Sequence, residues 1–381
     1  MKAGLFLMLL LLSITCVAQE TANPNVAPVP VAATPPVTTG TASVQVRKGI
    51  LIGALDPTGS PVGDLNKDQL QIIDSGHEAT PLLVRKADAI PLDLGIVLYA
   101  DPKTFSQQQA AAIDLIKKII RPEMDHAFVI AAGGNKPWSD GNLKWQNSAE
   151  DLISTIQGLD KNTGFGDPFG YQLKVDRTGL DRDALQHFGG DNGAPSVFSV
   201  IWQMMKSDAR PVRKAVVIVR SALSHSAGFS GQYSPMIDSA LEYVIGNAQQ
   251  MGIPLLIIGL EDTSIGAATT NIGITTTGVH PGDADALKDY DDEMEKLRKA
   301  AYDAGRSNVM RIADSTGGHV WWSEKKNFAD ATEAIAKDIT GQYVLIFSPS
   351  GAGQNPRPLK VTTTHKDCRL ETPTAFYLSA H

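Results

Sequence analysis

The sequence predicts an α/β fold: a doubly wound, mostly parallel sheet flanked by a small β module built from segments near the two ends of the chain. Three observations carry this. The apolar runs within Pro91–Asp101, His126–Ala132, Lys214–Arg220 and Pro254–Leu260 lack the alternation of half-exposed strands, as strands covered on both faces do. The stretches between them carry apolar residues at the three/four spacing of amphipathic helices, and strand–crossover–strand repetition builds parallel sheets. Before Ala87 and after Gly341 the pattern changes to short strands separated by Gly- and Pro-containing turns.

The N-terminus has Lys2, an apolar run Ala3–Leu12 and the small-residue stretch Cys16-Val17-Ala18, the order of a secretory signal with cleavage after Ala18. The apolar run is shorter than the roughly 20 residues that span a bilayer. Residues 19–43 are rich in Pro, Ala, Thr and Val without period and read as a flexible tether. The expected organisation continues with a β segment at 44–90, an α/β domain at 91–340 and a β segment at 341–381 that packs with 44–90.

Within the first β segment, VQVRKGILIGALD, DQLQIID and ATPLLVRKA are the strands, with turns at Pro57-Thr58-Gly59 and Ser75-Gly76. Pro91–Asp101 is the central strand of the parallel sheet. Ligands of open α/β sheets sit beyond the carboxyl ends of the strands, so any ligand is expected at Tyr99–Lys103. Helices follow with inward stripes of Ala112, Leu115, Ile116 and Ile119; of Leu152, Ile153 and Ile156 after a Ser148 cap; and of Val197, Val200, Ile201 and Met204. The next stripes are Ile237, Ala240, Leu241, Val244 and Ala248, then Leu287, Tyr290, Met294, Leu297 and Ala301, and finally Phe328, Ala331, Thr332, Ile335 and Ile339. LKWQ at Leu143–Gln146 reads as a short edge strand, DSTGG at Asp314–Gly318 as a turn, and His319–Trp322 as the strand after it. Two long polar excursions, 160–193 and 261–283, have no helical period. QYVLIFS, LKVTTT and TAFYL close the chain as strands.

Composition limits the function. The 381 residues, 43% hydrophobic and 20% charged, are those of a globular protein. A formal net charge of −7 without a basic block speaks against nucleic acid and anionic lipid as partners. Of the two cysteines, Cys16 leaves with the signal and Cys368 stands alone, so no disulfide within the chain and no cysteine metal site is expected. The eight histidines form no zinc spacing, and the acidic run at Asp289, Asp291, Asp292 and Glu293 lacks the alternation of a calcium loop. No hydrolase elbow or phosphate-binding loop is present. Ser224, His225 and Asp101 are the residues an unconventional hydrolase would use.

The Pro91-Leu92 start of the central strand, KAVVIV, PLLIIGL, the DSTGG segment and the closing GQYVLIFSP together resemble a von Willebrand factor type A domain. The chain is more closely similar to the related proteins abundant in Acidobacteria. They share a leading D-x-x-G-x-P-V-x-x-L, here Asp56 to Leu65, and a closing Q-Y-V-L, here Gln342 to Leu345. The resemblance implies a divalent-cation adhesion site at the strand ends. Its D-x-S-x-S positions fall on Tyr99, Asp101 and Lys103, its Thr near Pro195 and its late Asp near Ser221. None keeps the expected residue, so the implied site is degenerate and metal-free, with no cofactor. The expected function is that of an exported, non-enzymatic module holding an unknown protein partner. The candidate face is Asp101, Lys103, Asp191, Arg220 and His225. A hydrolase, or an envelope component binding through the β module, are the other readings.

Overall fold

The computed structural model describes residues 47–99, 104–133, 136–137, 143–165, 196–207, 212–221, 234–261, 296, 303, 305–324, 328–350 and 355–378. The signal and tether, most of the two excursions and all but Lys296 of the stripe from Leu287 to Ala301 lie outside these residues. Among them no helix is long and apolar enough to cross a membrane.

The chain enters as β1 (Lys48–Leu55), β2 (Leu70–Asp74) and β3 (His77–Lys86). The DQLQIID segment, expected as a strand throughout, begins instead as a 3-10 turn at Lys67–Gln69. There Asn66 and Gln69 cap each other's backbone, which holds the chain back from extension until Leu70. Ser75 and Gly76 both take positive φ, 51° and 85°, the backbone of a two-residue hairpin turn whose twist matches the strands it joins.

The parallel sheet follows. Its elements are β4 (Leu92–Tyr99), α1 (Phe105–Ile119), β5 (His126–Ala132), the two-residue strand β6 (Lys136–Pro137), α2 (Ala149–Gly158), the two-residue strand β7 (Thr163–Gly164), α3 (Val197–Ser207), β8 (Arg213–Ser221), α4 (Ser234–Met251) and β9 (Leu255–Glu261). A helical segment covers residues 305–316, then come β10 (Val320–Glu324) and α5 (Ala329–Gly341). The order across the sheet is β10-β9-β8-β4-β5, all parallel. β4 is buried at every position, as its unbroken apolar run requires.

Helices cover both faces. Leu92, Leu94, Ile96 and Leu98 pack with α1, α2 and α5. Val97 and Tyr99 pack with α3, α4 and the 305–316 helix. Trp321 and Trp322 lean on opposite cores, as neighbours on a strand do. The expected edge strand at Leu143–Gln146 is a single bridge, Ala127 to Gln146. The DSTGG turn is shorter than expected. Asp314, Ser315 and Thr316 are the last residues of the helix, and the chain turns only at Gly317, whose φ of 79° is a left-handed helix stop.

Gly95 sets how closely α3 approaches β4. A Cβ there would stand 2.8 Å from Phe128 Cζ and 3.2 Å from Met205 Cε. Gly95→Ala is expected to cost about 1–3 kcal/mol by overpacking, read as a lower urea midpoint at unchanged slope.

The chain returns to the first module as β11 (Tyr343–Ser348), β12 (Arg357–Thr363), β13 (Arg369–Glu371) and β14 (Ala375–Phe376). The antiparallel sheet interleaves both ends in the order β13-β1-β11-β3-β2-β12-β14. Its own core gathers Ile50, Ile52, Ile72, Tyr343, Leu345, Phe347 and Phe376. Inside lies an ion pair with both side chains fully buried, Arg357 Nε to Asp74 Oδ1 at 2.9 Å and Nη2 to Oδ2 at 2.6 Å. Ser350 closes it, donating N–H at 2.8 Å and Oγ–H at 3.0 Å to Asp74 Oδ2. The fold is the α/β class with a flanking antiparallel module that the sequence predicts.

Candidate functional site

The parallel sheet progresses in one direction from β4 to β5 and in the other from β4 to β10. The crevice where direction reverses, between the carboxyl ends of β4 and β8, is where doubly wound sheets receive ligands. Tyr99 ends β4 and Arg220 is the penultimate residue of β8, on neighbouring strands whose last pairing is Leu98 with Val219.

Side chains alternate along each strand, and this alternation decides what meets there. Val97 and Tyr99 on β4, and Val216 and Ile218 on β8, face the α3 side, so Arg220 faces it too. The Arg220 guanidinium carbon lies 4.6 Å from the centroid of the Tyr99 ring, a cation–π contact. Tyr99 is 8% and Arg220 6% exposed. Arg220 makes no hydrogen bond or ion pair with any described residue, and its Nε is sealed without a partner. Buried guanidinium groups are ordinarily paired, because taking the charge out of water costs several kcal/mol.

Two further polar residues shape the crevice. Gln108, fully buried in α1, accepts the Tyr99 N–H at 2.9 Å through Oε1 and donates from Nε2 to Thr104 Oγ1 at 3.1 Å. It fixes the end of β4 where the ladder stops. Ser196 precedes α3, its carbonyl accepting the Val200 N–H at 3.2 Å, and its fully buried hydroxyl has no partner. α3 precedes β8 and packs beside β4 with Met205 over Gly95. Ser196 stands nine residues before Met205, about 13 Å up the helix, and Tyr99 four residues beyond Gly95, about 13 Å along the strand. The Ser196 end of α3 therefore lies toward the carboxyl end of β4, on the sheet face where Val97 and Tyr99 pack.

Of the residues singled out in the sequence, the structure brings Tyr99 and Arg220 together. Ser221 is described in its backbone, opposite Leu260. Asp101, Lys103, Asp191, Pro195, Ser224 and His225 lie outside the described residues. Sequence reasoning missed Gln108 and Ser196. Gln108 falls on the apolar stripe between Phe105 and Ala112, where a polar residue is a readable anomaly. Ser196 stands where a helix cap is expected.

A second cluster joins the two sheets' elements. Asp338 of α5 and Glu371 of β13 are buried against each other, and Gly53 of β1, in register with Glu371, leaves the room: a Cβ there would lie 3.1 Å from Asp338 Oδ1. Burial raises the Asp338 pKa well above its ordinary value, and the Glu371 charge adds to this. Burial raises Glu371 to about 7 despite Arg369, whose Nη2 lies 2.7 Å from Oε1. His319 approaches Glu371 Oε1 at 3.7 Å, a spacing that suggests an ion pair. Burial, with Arg369 beside it, lowers its pKa to about 4, so it is neutral at pH 7 and the contact is not ionic. Among the described residues no group of three or more His, Cys, Asp or Glu side chains could hold a metal ion.

No protein-family model matches the chain, and no curated protein sequence does. Its fold is similar to several solved structures. A von Willebrand factor type A protein from Catenulispora acidiphila shares 9% identity over 88% of this chain and 74% of its own, with a TM-score of 0.34. The vWF domain of the type V pili tip protein Mfa5 from Porphyromonas gingivalis shares 11% over 70% and 99%, at 0.36. Proximal thread matrix protein 1 from the mussel byssus shares 10% over 68% of this chain, at 0.32, and this chain spans only 48% of its length. Likenesses at this level assign neither a family nor an activity.

Proposed function

We propose that the chain is an exported, non-enzymatic protein-binding module that engages its partner through the loop face at the carboxyl ends of the parallel strands, without a metal ion. The observation that carries this is the Arg220 guanidinium over Tyr99, without an acidic partner among the described residues, at the point where the sheet changes direction. Divalent cations require oxygen ligands. A buried positive charge opposes a cation there, and Tyr99 replaces the leading carboxylate that the resemblance implies. Export is supported by the charged, apolar and small-residue order of the first 18 residues.

Two experiments test this reading. Calorimetric titration of the mature protein with magnesium, manganese and calcium is expected to show no binding; tight binding of any one overturns the metal-independent part. Replacing Lys103 by Glu and Arg220 by Met together is expected to abolish capture of envelope proteins by the immobilised mature chain while leaving its circular dichroism unchanged. Undiminished capture removes the strand-end face as the contact.

A further inference from the structure

We infer that the buried carboxyl pair Asp338 and Glu371 is a proton-operated latch: while the two side chains share a proton they fasten residues 369–374 onto the α/β domain, and when the proton leaves, this strap opens while the rest of the fold stays closed.

Residues 369–374 run from the β module to the α/β domain. β13 pairs with β1 over three residues only, Arg369 to Glu371 against Leu55 to Gly53. Beyond it Pro373 is buried at the turn that ends the 305–316 helix, where a Cβ on Gly317 would stand 2.7 Å from the Pro373 nitrogen. The Thr374 N–H donates to the Ser315 carbonyl at 3.1 Å, and Gln249 of α4 donates from Nε2 to the same carbonyl at 2.8 Å and to Thr374 Oγ1 at 3.2 Å. Phe376, buried against Phe347 in the core of the module, anchors the chain again. The ties between are short and mostly polar, and such segments open at a lower free energy than the whole fold.

The carboxyl pair holds the middle of the strap. Asp338 and Glu371 are 2% and 7% exposed, and a Cβ on Gly53 would lie 3.1 Å from Asp338 Oδ1 and 3.2 Å from Glu371 Oε2, so both groups close on one glycine. Asp338 Oδ2 and Glu371 Oε2 are sealed acceptors that receive no hydrogen bond from a donor among the described residues. A proton on one carboxyl, donated to the other, supplies it, and two carboxylates in one dry space cannot both ionise. On opening, the proton passes to water and hydration replaces the shared hydrogen bond.

The charged neighbours make this a switch. Arg369, on the strap itself, lies 2.7 Å from Glu371 Oε1 and is half-exposed. Asp314 of the 305–316 helix adds negative charge toward Glu371. Lys337, beside Asp338 in sequence, pairs with Glu333 instead, and β1 brings no charge to the pair. One cation therefore faces three carboxyl groups. His319, 3.7 Å from Glu371 Oε1, is neutral at pH 7 because burial lowers its pKa to about 4. An opened strap returns it to water, where it takes up a proton below 6.5 and offsets the proton the pair releases, so the latch responds above that value.

The test is amide hydrogen exchange of the mature chain by NMR, comparing Thr374 with Ile96 of β4, each rate divided by that of an unstructured peptide at the same pH. Between pH 6.5 and 8 the protection of Thr374 is expected to fall about tenfold, as an opening that releases a proton requires. It should stay at least about tenfold below that of Ile96. In about 1 M urea Ile96 should exchange faster and Thr374 should not, because only global unfolding exposes much surface. Asp338→Asn combined with Glu371→Gln, neutral and of the same size, should leave a change of no more than about twofold over this range, the part due to His319. Arg369→Met keeps the pair and removes its cation, so the fall should extend to higher pH; this variant carries the test if the double one does not fold.

Thr374 protection independent of pH, a tenfold fall that survives the double substitution, or a profile unchanged in Arg369→Met overturns the inference. So does Thr374 exchanging at the rate and with the urea response of Ile96, since the strap then opens only with the whole molecule.

Discussion

Replacing Arg357 by Ala is expected to lower the stability of the folded chain by about 3–5 kcal/mol, the cost of leaving one member of a buried ion pair uncompensated. Both side chains of the pair are fully buried, and the geometry is bidentate. Asp74 Oδ2 also accepts from the N–H and hydroxyl of Ser350, so the carboxylate would keep only part of its solvation. Arg357 further donates to the Ser350 carbonyl and lies over the Phe376 ring at 5.8 Å. The substitution thus removes charge pairing, a link between two segments of the β module and an aromatic contact at once. Urea denaturation followed by circular dichroism checks it. The double substitution Asp74→Leu with Arg357→Met should recover much of the loss, since apolar replacement of both partners leaves no stranded charge. A single substitution costing under about 1 kcal/mol would mean the pair is hydrated in solution.

Stability should also fall as pH rises from about 6.5 to above 7, where the contribution of Glu371 is lost unopposed. Glu371 carries a folded-state pKa of about 7 against its ordinary 4.5, with burial as the first cause, so the folded chain holds a proton that the unfolded chain has released. The contribution is fully present below the unfolded value and is lost as pH rises through the folded one. A displacement of that size corresponds to about 3 kcal/mol. Asp338 shares the proton and is shifted in the same direction, while burial also raises Asp314. Arg369 opposes these shifts from a half-exposed position. His319 works against the decline: with its pKa lowered from 6.5 to about 4, the unfolded chain holds a proton that the folded chain lacks between those values, so its contribution rises with pH there and the net fall is confined to the range from about 6.5 to above 7. Glu371→Gln should therefore flatten the decline and be more stable than the unsubstituted protein at pH 8. No fall between pH 6.5 and 8, or a Gln variant less stable at pH 8, would show that the pair ionises without penalty.

What was legible in the sequence follows the reach of each signal. The buried strands and the helical stripes were readable because period and length report burial directly: Ala112, Leu115, Ile116 and Ile119 all turn inward, as do Ala331, Thr332, Ile335 and Ile339. The switch point was readable as the end of the central strand, and Tyr99 and Arg220 meet there. The pairing of Asp74 with Arg357, and of Asp338 with Glu371, was not. Each joins residues far apart in the chain, and nothing local marks a charged residue as buried. Gln108 and Ser196 lay between these extremes, visible as polar residues in telling places but without an indication of what they face. The DSTGG segment misled for a local reason, since Ser, Thr and Asp favour turns yet here sit inside a helix that only Gly317 stops.

The interleaved β sheet has a kinetic consequence. β1 finds its native neighbours only in β11 and β13, and the pairing Lys48 to Phe347 closes a span of about 300 residues. While the chain is being made, the β2–β3 hairpin can form, but β1 has a vacancy beside it that no earlier segment fills. The hydrophobic interior of this sheet must then wait for β11 to β14, whereas the parallel sheet can assemble from neighbours already synthesised. Contacts this distant in sequence are slow to form and leave a strand edge open in the interval. Truncation within β11 should accordingly strand the beginning of the chain as well as its end.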